Sequence, residues 1–359
     1  MAPGTADPTD GIDTPAVLVD MAVVQRNIDR FQSLADRIGM KVRPHIKTHK
    51  LAEVTRMQLS AGAIGITCQK VSEAEAMLDA CPEIRDLLIT YNILGDEKLD
   101  HLRKLARRVR LTVVADNATV VDGLSRAFAA EAEPLRVLVE CNTGADRCGV
   151  ATPDEACALG LHIAAAAGLR FQGLMTYPPV GGAASVQSFM TRAIALLADH
   201  GIAVETVSSG GTPSMAQAGE APVATEYRPG TYAYNDRSLV ARGVCDWEDC
   251  ALTVLATVVS TPDPHRAIID AGSKALTSDL LGLSGYGHVL GRPDITIDQL
   301  SEEHGRLVSA LPIGLVVGQR IRIVPNHACV VTNLFDSVIA IDGPAAPRTL
   351  RVAARGKVV

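Results

Sequence analysis

Three short stretches of this chain carry side chains able to do chemistry. Arg43 to Lys50 reads RPHIKTHK, three cationic residues and two histidines in eight positions, directly after an apolar strand start. Pro44 and the alternation Val42, Pro44, Ile46 predict a strand that continues to its C-terminal end, with Lys47 opposite Ile46. A lysine amine taken out of water loses affinity for its proton and becomes a nucleophile for carbonyl groups. Val207 to Ser214 reads VSSGGTPS. Gly210 and Gly211 allow a tight turn whose backbone approaches an anion, and Thr212 or Ser214 adds a hydroxyl and opens a short helix. An ordinary strand-to-helix turn is the competing reading. Pro325 to Asn333 reads PNHACVVTN, and on a strand His327 and Cys329 would face the same way. An imidazole and a soft thiolate form a chelating pair suited to zinc, with manganese as the alternative if the thiolate is not a ligand. Two ligands do not complete a site; water or substrate must fill the rest.

The elements that would position these residues follow from periodicity. Apolar runs at 16–20, 41–46, 64–67, 86–90, 111–115, 135–140, 170–175 and 203–208 read as strands. Between them lie amphipathic stretches, such as Val24, Ile28, Phe31, Leu34, Ala35 and Ile38, and Leu99, Leu102 and Leu105 after Gly95. Eight β/α units predict an N-terminal (β/α)8 TIM-like barrel over residues 12–245. A doubly wound sheet would need a glycine fingerprint on its first turn, and DTPAVLVDMAVVQRN has none. Beyond about residue 250 the runs ALTVLATVVS, HRAIIDAG, QRIRIVP and SVIAIDG predict a C-terminal all-β domain, 246–359. The first dozen residues read as a loose arm. Barrel sites collect at the C-terminal ends of the strands, where Lys47 and the Gly210–Thr212 turn fall, and phosphate sites favour the last strands.

Composition narrows the function classes. Among 359 residues, 34 Lys plus Arg face 40 Asp plus Glu, a net charge of −6, with only five Phe, six Tyr and one Trp. That lacks both the basic field and the stacking platforms of a nucleic-acid binder. No apolar run approaches the roughly 18 residues that span a bilayer. The start has no basic region followed by an apolar stretch, so a cytoplasmic enzyme is expected. None of the eight cysteines has a second cysteine three positions on, so paired-thiolate zinc spacing is missing and most read as free thiols.

DTPAVLVD, RPHIKTHK and ITCQKVSEAEAM together resemble the D-threonine aldolase and D-serine dehydratase group of fold-type III pyridoxal-phosphate enzymes, relatives of alanine racemase. The resemblance runs along nearly the whole chain and implies a barrel followed by a β domain. It implies pyridoxal 5'-phosphate attached to Lys47, the lysine of the Pro-His-x-Lys motif that also holds His45. It implies phosphate contacts from Gly210, Gly211 and Thr212, and from Gly230 and Thr231 in EYRPGTYAYND. Arg147 in NTGADRCGV would steady a cofactor oxygen or a substrate carboxylate, and Tyr177 in GLMTYPP would lie near the cofactor ring. His327 and Cys329 resemble the His-x-Cys metal pair of dehydratase-like members, where aldolases more often carry His-x-Asp. The resemblance also implies a homodimer and a small amino-acid substrate of D configuration.

A metal bound to a substrate's β-oxygen favours either retro-aldol cleavage or loss of the hydroxyl. The expected activity is a D-threonine aldolase-type lyase of β-hydroxy-D-amino acids, with the dehydratase as alternative. The chain departs from the family where a histidine usually follows the barrel tyrosine. Here Tyr177 is followed by PPVGGAAS, and no histidine appears before His200; His304 is a distant substitute. A racemase would use Tyr286 in SGYGHV as a second base. A non-catalytic pyridoxal-phosphate-binding protein would lack the last 110 or so residues.

Overall fold

The computed structural model describes residues 9–343 and 345–359. Of the expected N-terminal arm, residues 1–8 lie outside the described residues. Two compact units emerge. One comprises residues 29–47, 52–230 and 357–359; the other comprises residues up to 28, 48–51 and 231–356.

The strand expected at 16–20 forms as β1 (Ala16–Asp20), but it is not a barrel strand. It pairs antiparallel with the long strand Leu252–Asp263 and parallel with Ser337–Ile341. Periodicity reveals a strand and not its partner. The compact units divide the chain differently from the expected barrel range of 12–245: residues 12–28 and 231–245 fall with the β unit.

The barrel unit is an eight-stranded parallel sheet. Its strands are β2 (Lys41–Val42), β3 (Ile66–Cys68), β4 (Asp86–Ile89), β5 (Arg110–Ala115), β6 (Leu135–Cys141), β7 (Leu169–Thr176), β8 (Thr206–Ser209) and β9 (Glu226–Tyr227). The last of these replaces β1 in the count. Just past β2, a bridge between His45 and Thr67 links the two ends of the sheet, with Thr67 N–H donating to the Pro44 carbonyl at 2.8 Å. Inside, Leu88, Val114, Leu138 and Met175 form one apolar layer from four neighbouring strands. Outside run helices such as Asp96–Ala106, which buries Leu99, Leu102 and Leu105 as their three-residue spacing requires. The expected strand 41–46 stops at Val42, and Ile46–Thr48 is a turn of 3-10 helix. Pro44 has no N–H for a ladder, so regular pairing ends there.

The β unit continues with β10 (Leu252–Asp263), β11 (Arg266–Ile269), β12 (His288–Val289), β13 (Thr296–Leu300), β14 (Gly305–Val308), β15 (Arg320–Val324), β16 (Ser337–Ile341) and β17 (Arg348–Arg351). Pairing is antiparallel except between β1 and β16. Short helices interrupt it, the most consequential being Ala328–Leu334. Among the described residues no helix is long and apolar enough to cross a membrane.

Candidate functional site

Lys47 is half-buried on the 3-10 turn, and its backbone N–H donates to His45 Nδ1 at 3.4 Å. His45 Nε2 meets Gln69 Oε1 at 3.1 Å, while Gln69 Nε2 donates to the Thr90 carbonyl at 2.8 Å. With Gln69 oriented by Thr90, Nε2 of His45 must carry the hydrogen and Nδ1 must accept, so the ring is neutral. Its electrostatics agree. Burial, then the positive charges of Lys47, Arg228 and Arg147, push the His45 pKa well below its ordinary value.

The same unit gathers the predicted anion-binding turn. Gly210 has φ 102°, a conformation open to glycine, and a Cβ there would stand 2.3 Å from the Tyr227 ring. A Cβ on Gly211 would stand 2.8 Å from the Tyr177 ring. Tyr227 Oη donates to the Gly211 carbonyl at 3.0 Å. Thr212 Oγ1 accepts the Gly230 N–H at 3.1 Å, so the two segments expected at a phosphate are tied together. The Arg147 guanidinium lies over the Tyr177 ring at 4.8 Å. Of the predicted cofactor residues, His45, Lys47, Arg147, Tyr177, Gly210, Gly211, Thr212 and Gly230 thus belong to the barrel unit, and Thr231 to the other.

Sequence reasoning passed over Arg228. Its guanidinium is buried, with Nε donating to Ser208 Oγ at 2.7 Å and another nitrogen donating to the Thr176 carbonyl. Burial lowers its pKa to about 10. The nearby Glu140 carboxyl is raised by burial, against the pull of Arg147 and Arg228. The available signal was Arg228's place immediately after β9, in a segment already singled out.

In the β unit, His327 and Cys329 are not on a strand. His327 is the N-cap of the helix Ala328–Leu334, and Cys329 lies in its first turn. The pair still meets: the two side chains are hydrogen-bonded. His327 Nδ1 contacts Asp279 Oδ2 at 2.8 Å. Asp236, fully buried, accepts the Ala328 N–H at 3.1 Å. Burial opposes the charged His327 ring, but Cys329, Asp279 and Asp236 outweigh it and raise its pKa to about 9. Thr48 Oγ1 stands 3.2 Å from Cys329 Sγ, and Thr231 Oγ1 stands 3.6 Å from it. Tyr234 Oη is buried with no hydrogen-bond partner; burial, with the charge of Cys329 adding, pushes this phenol up. Asp279, 48 residues before His327, carried no sequence signal.

This donor set suits a divalent cation. An imidazole oriented by a carboxylate on one nitrogen presents the other, here beside a thiol. The described residues offer no group of three or more His, Cys, Asp and Glu side chains arranged for a metal. His304 is exposed in the turn joining β13 to β14, and His200 is exposed after the helix Ala183–Asp199. Tyr286 is half-buried, its N–H donating to the Ile297 carbonyl at 3.0 Å.

Residues 19–238 match the family described as "Alanine racemase, N-terminal domain", and residues 251–341 match the "Putative serine dehydratase domain". A D-threonine aldolase of Arthrobacter sp is 34% identical over 98% of this chain and 94% of its own length. The D-threo-3-hydroxyaspartate dehydratase of Delftia sp. (strain HT23) is 31% identical over 92% of this chain and 95% of its own. The crystal structure of D-threonine aldolase from Filomicrobium marinum superposes with a TM-score of 0.89 at 37% identity, covering 97% of each chain.

Proposed function

This chain belongs to the alanine racemase N-terminal-domain family, and on that premise we propose that it is a pyridoxal-phosphate- and metal-dependent lyase of β-hydroxy-D-amino acids. The reaction is retro-aldol cleavage of the Cα–Cβ bond, giving glycine and an aldehyde. The observation that carries the metal-dependent lyase reading is the His327–Cys329 pair oriented by Asp279, in a chain that also presents Lys47 beside a neutral His45. The preference for cleavage over elimination rests on the likeness to D-threonine aldolases along the whole chain, since the His-x-Cys pair by itself leans toward the dehydratase.

Pyridoxal phosphate, when bound, supplies an electron sink for the charge left at Cα. Lys47 attaches it. The backbone of Gly210 and Gly211 and the Thr212 hydroxyl hold its phosphate, and the Gly230 N–H, already donated to Thr212, fixes that hydroxyl. Arg228, Arg147 and Lys47 give that end a positive field, and His45, held neutral, adds no charge of its own. Tyr177 would stand near the cofactor ring, and Arg147, over the Tyr177 ring, would take a carboxylate or phenolic oxygen. A divalent metal, zinc or alternatively manganese, supplies Lewis acidity to a β-oxygen. His327 and Cys329 hold it, and Asp279 keeps the imidazole oriented.

The dehydratase reading has its own support. The segment after Tyr177 carries two prolines and two glycines in place of a histidine able to take the β-hydroxyl proton. Elimination would give a 2-oxo acid and ammonia. We take the active form to be a homodimer; Tyr91, Leu94, Tyr177 and Val180 expose apolar surface after β4 and β7, at one end of the barrel. A fully active monomer would contradict this.

Incubation with D-threonine and with D-serine, with and without a chelator, tests the reaction. Glycine and acetaldehyde, lost on chelation, support the aldolase. Ammonia with 2-oxobutyrate or pyruvate supports the dehydratase. Conversion to the L-isomer without cleavage would overturn both and bring Tyr286 forward as a base.

A further inference from the structure

The N-terminal end of the barrel strands holds a cavity that the proposed reaction does not use. It has a volume of about 340 Å³ and is lined by Asp86 and Arg110 at the starts of β4 and β5, by Thr112 and Gln172 further along β5 and β7, and by Glu205 just before β8. Leu88 and Leu138 line it too, and both belong to the apolar layer with Val114 and Met175.

Charge in this mouth is uneven. Asp86 is paired with Arg43 at 2.5 Å and with Arg110 at 3.3 Å, and Glu226 is paired with Arg43 at 3.0 Å. Glu205 takes Arg170 at 2.5 Å and Gln172 Nε2 at 3.0 Å. Arg136 has no carboxylate partner among the described residues, and its Nε is buried without an acceptor. Arg136 does not itself line the cavity; it stands at the edge, two residues before Leu138 on the same face of β6 and opposite Thr112, both of which do line it. Its register partners are Thr112 on β5 and Arg170 on β7. Arg110 and Arg170 both repel its charge, while Asp86 and Glu133 attract it only through space. On the neighbouring strand the Gln172 Oε1 is buried and also has no partner. Its amide nitrogen is committed to Glu205, so the oxygen is fixed as an acceptor.

We propose that this N-terminal mouth of the barrel binds a protonated oxyanion of the hydrogen phosphate type, held by Arg136 with Arg110 and given a hydroxyl acceptor by Gln172. The guanidinium fork supplies donors to the oxyanion oxygens. The orphaned amide oxygen accepts the anion's own O–H, which sulfate lacks.

Titration calorimetry of the cofactor-loaded enzyme with inorganic phosphate, at constant ionic strength in chloride, tests this. Loaded enzyme keeps the cofactor's own phosphate position filled. The expected result is one saturable phosphate site per chain, with sulfate at least several-fold weaker. Arg136→Gln is expected to weaken phosphate at least tenfold and to leave turnover unchanged. Gln172→Leu, which removes the acceptor, is expected to bring phosphate down to the affinity of sulfate. Should either variant fail to fold, Arg110→Gln at the exposed rim provides the same test with a smaller loss. No saturable heat, equal binding of sulfate and phosphate by the wild type, or wild-type affinity in Arg136→Gln would overturn the assignment.

Discussion

His45 and His327 are two sheltered imidazoles driven in opposite directions. His45 stands among Lys47, Arg147 and Arg228, and burial together with those cations keeps it neutral. His327 stands among Cys329, Asp279 and Asp236, which overcome burial and hold its proton up to about pH 9. The barrel unit collects positive charge around a glycine-rich turn. The β unit collects thiol, carboxylate and imidazole around the start of a short helix. A region that cannot tolerate another cation is prepared for an anion, and a region that grips a proton tightly is prepared for a metal. On the proposed function, that contrast matches the phosphate-bearing cofactor to one unit and the divalent metal to the other.

The most drastic way to break the barrel half is Lys47→Ala. Activity is expected to fall by about a thousandfold or more, as when the nucleophile of a catalytic unit is removed. Borohydride treatment of the wild type should fix the cofactor to Lys47, and attachment to another residue would refute the assignment. On the β half, Asp279→Asn keeps the shape of the partner and removes its charge. We expect metal affinity to drop about 10–100-fold while cofactor content stays the same. Unchanged metal affinity would mean that the 2.8 Å contact to His327 does not orient a ligand.

A smaller effect should follow Gly210→Ala. The left-handed backbone alone costs roughly 1–2 kcal/mol, and the Tyr227 ring must also move. Cofactor dissociation should become about tenfold or more faster, with metal content untouched; an unaltered rate would detach this turn from the phosphate. Smallest is a pH effect on stability. The folded-state pKa of His45 is depressed, so its contribution is complete above the unfolded value near 6.5. It is lost as pH falls from there toward the folded value, with a slope of at most about 1.4 kcal/mol per pH unit for one proton. His45→Gln should flatten the denaturation midpoint between pH 6.5 and 5, and an unflattened profile would mean that His45 titrates normally.

How much of this was legible depends on how far apart the partners lie in the chain. Lys47 and His45 are two residues apart, and the Gly210–Thr212 turn is continuous, so their chemistry could be read from spacing. The same spacing rule reaches the His327–Cys329 pair, although the segment is a helix start and not a strand. A strand and the junction from N-cap to first helical turn both let residues two apart meet. Asp279 and Tyr234 were invisible because only folding brings them to the pair. Alternation foretold the eight-stranded barrel, yet β1 was counted in it and the two-residue β9 was not. A strand's partner is set by long-range pairing, and two residues carry no measurable period.

On the proposed function, two separate electrostatic environments hold two separate groups. The most direct test is the metal and pyridoxal phosphate content per chain of purified wild type and of His327→Ala. The wild type is predicted to hold close to one of each. His327→Ala is predicted to lose the metal and keep the cofactor, with its visible absorption intact. Equal metal content in the two proteins, or loss of the cofactor along with the metal, would contradict it.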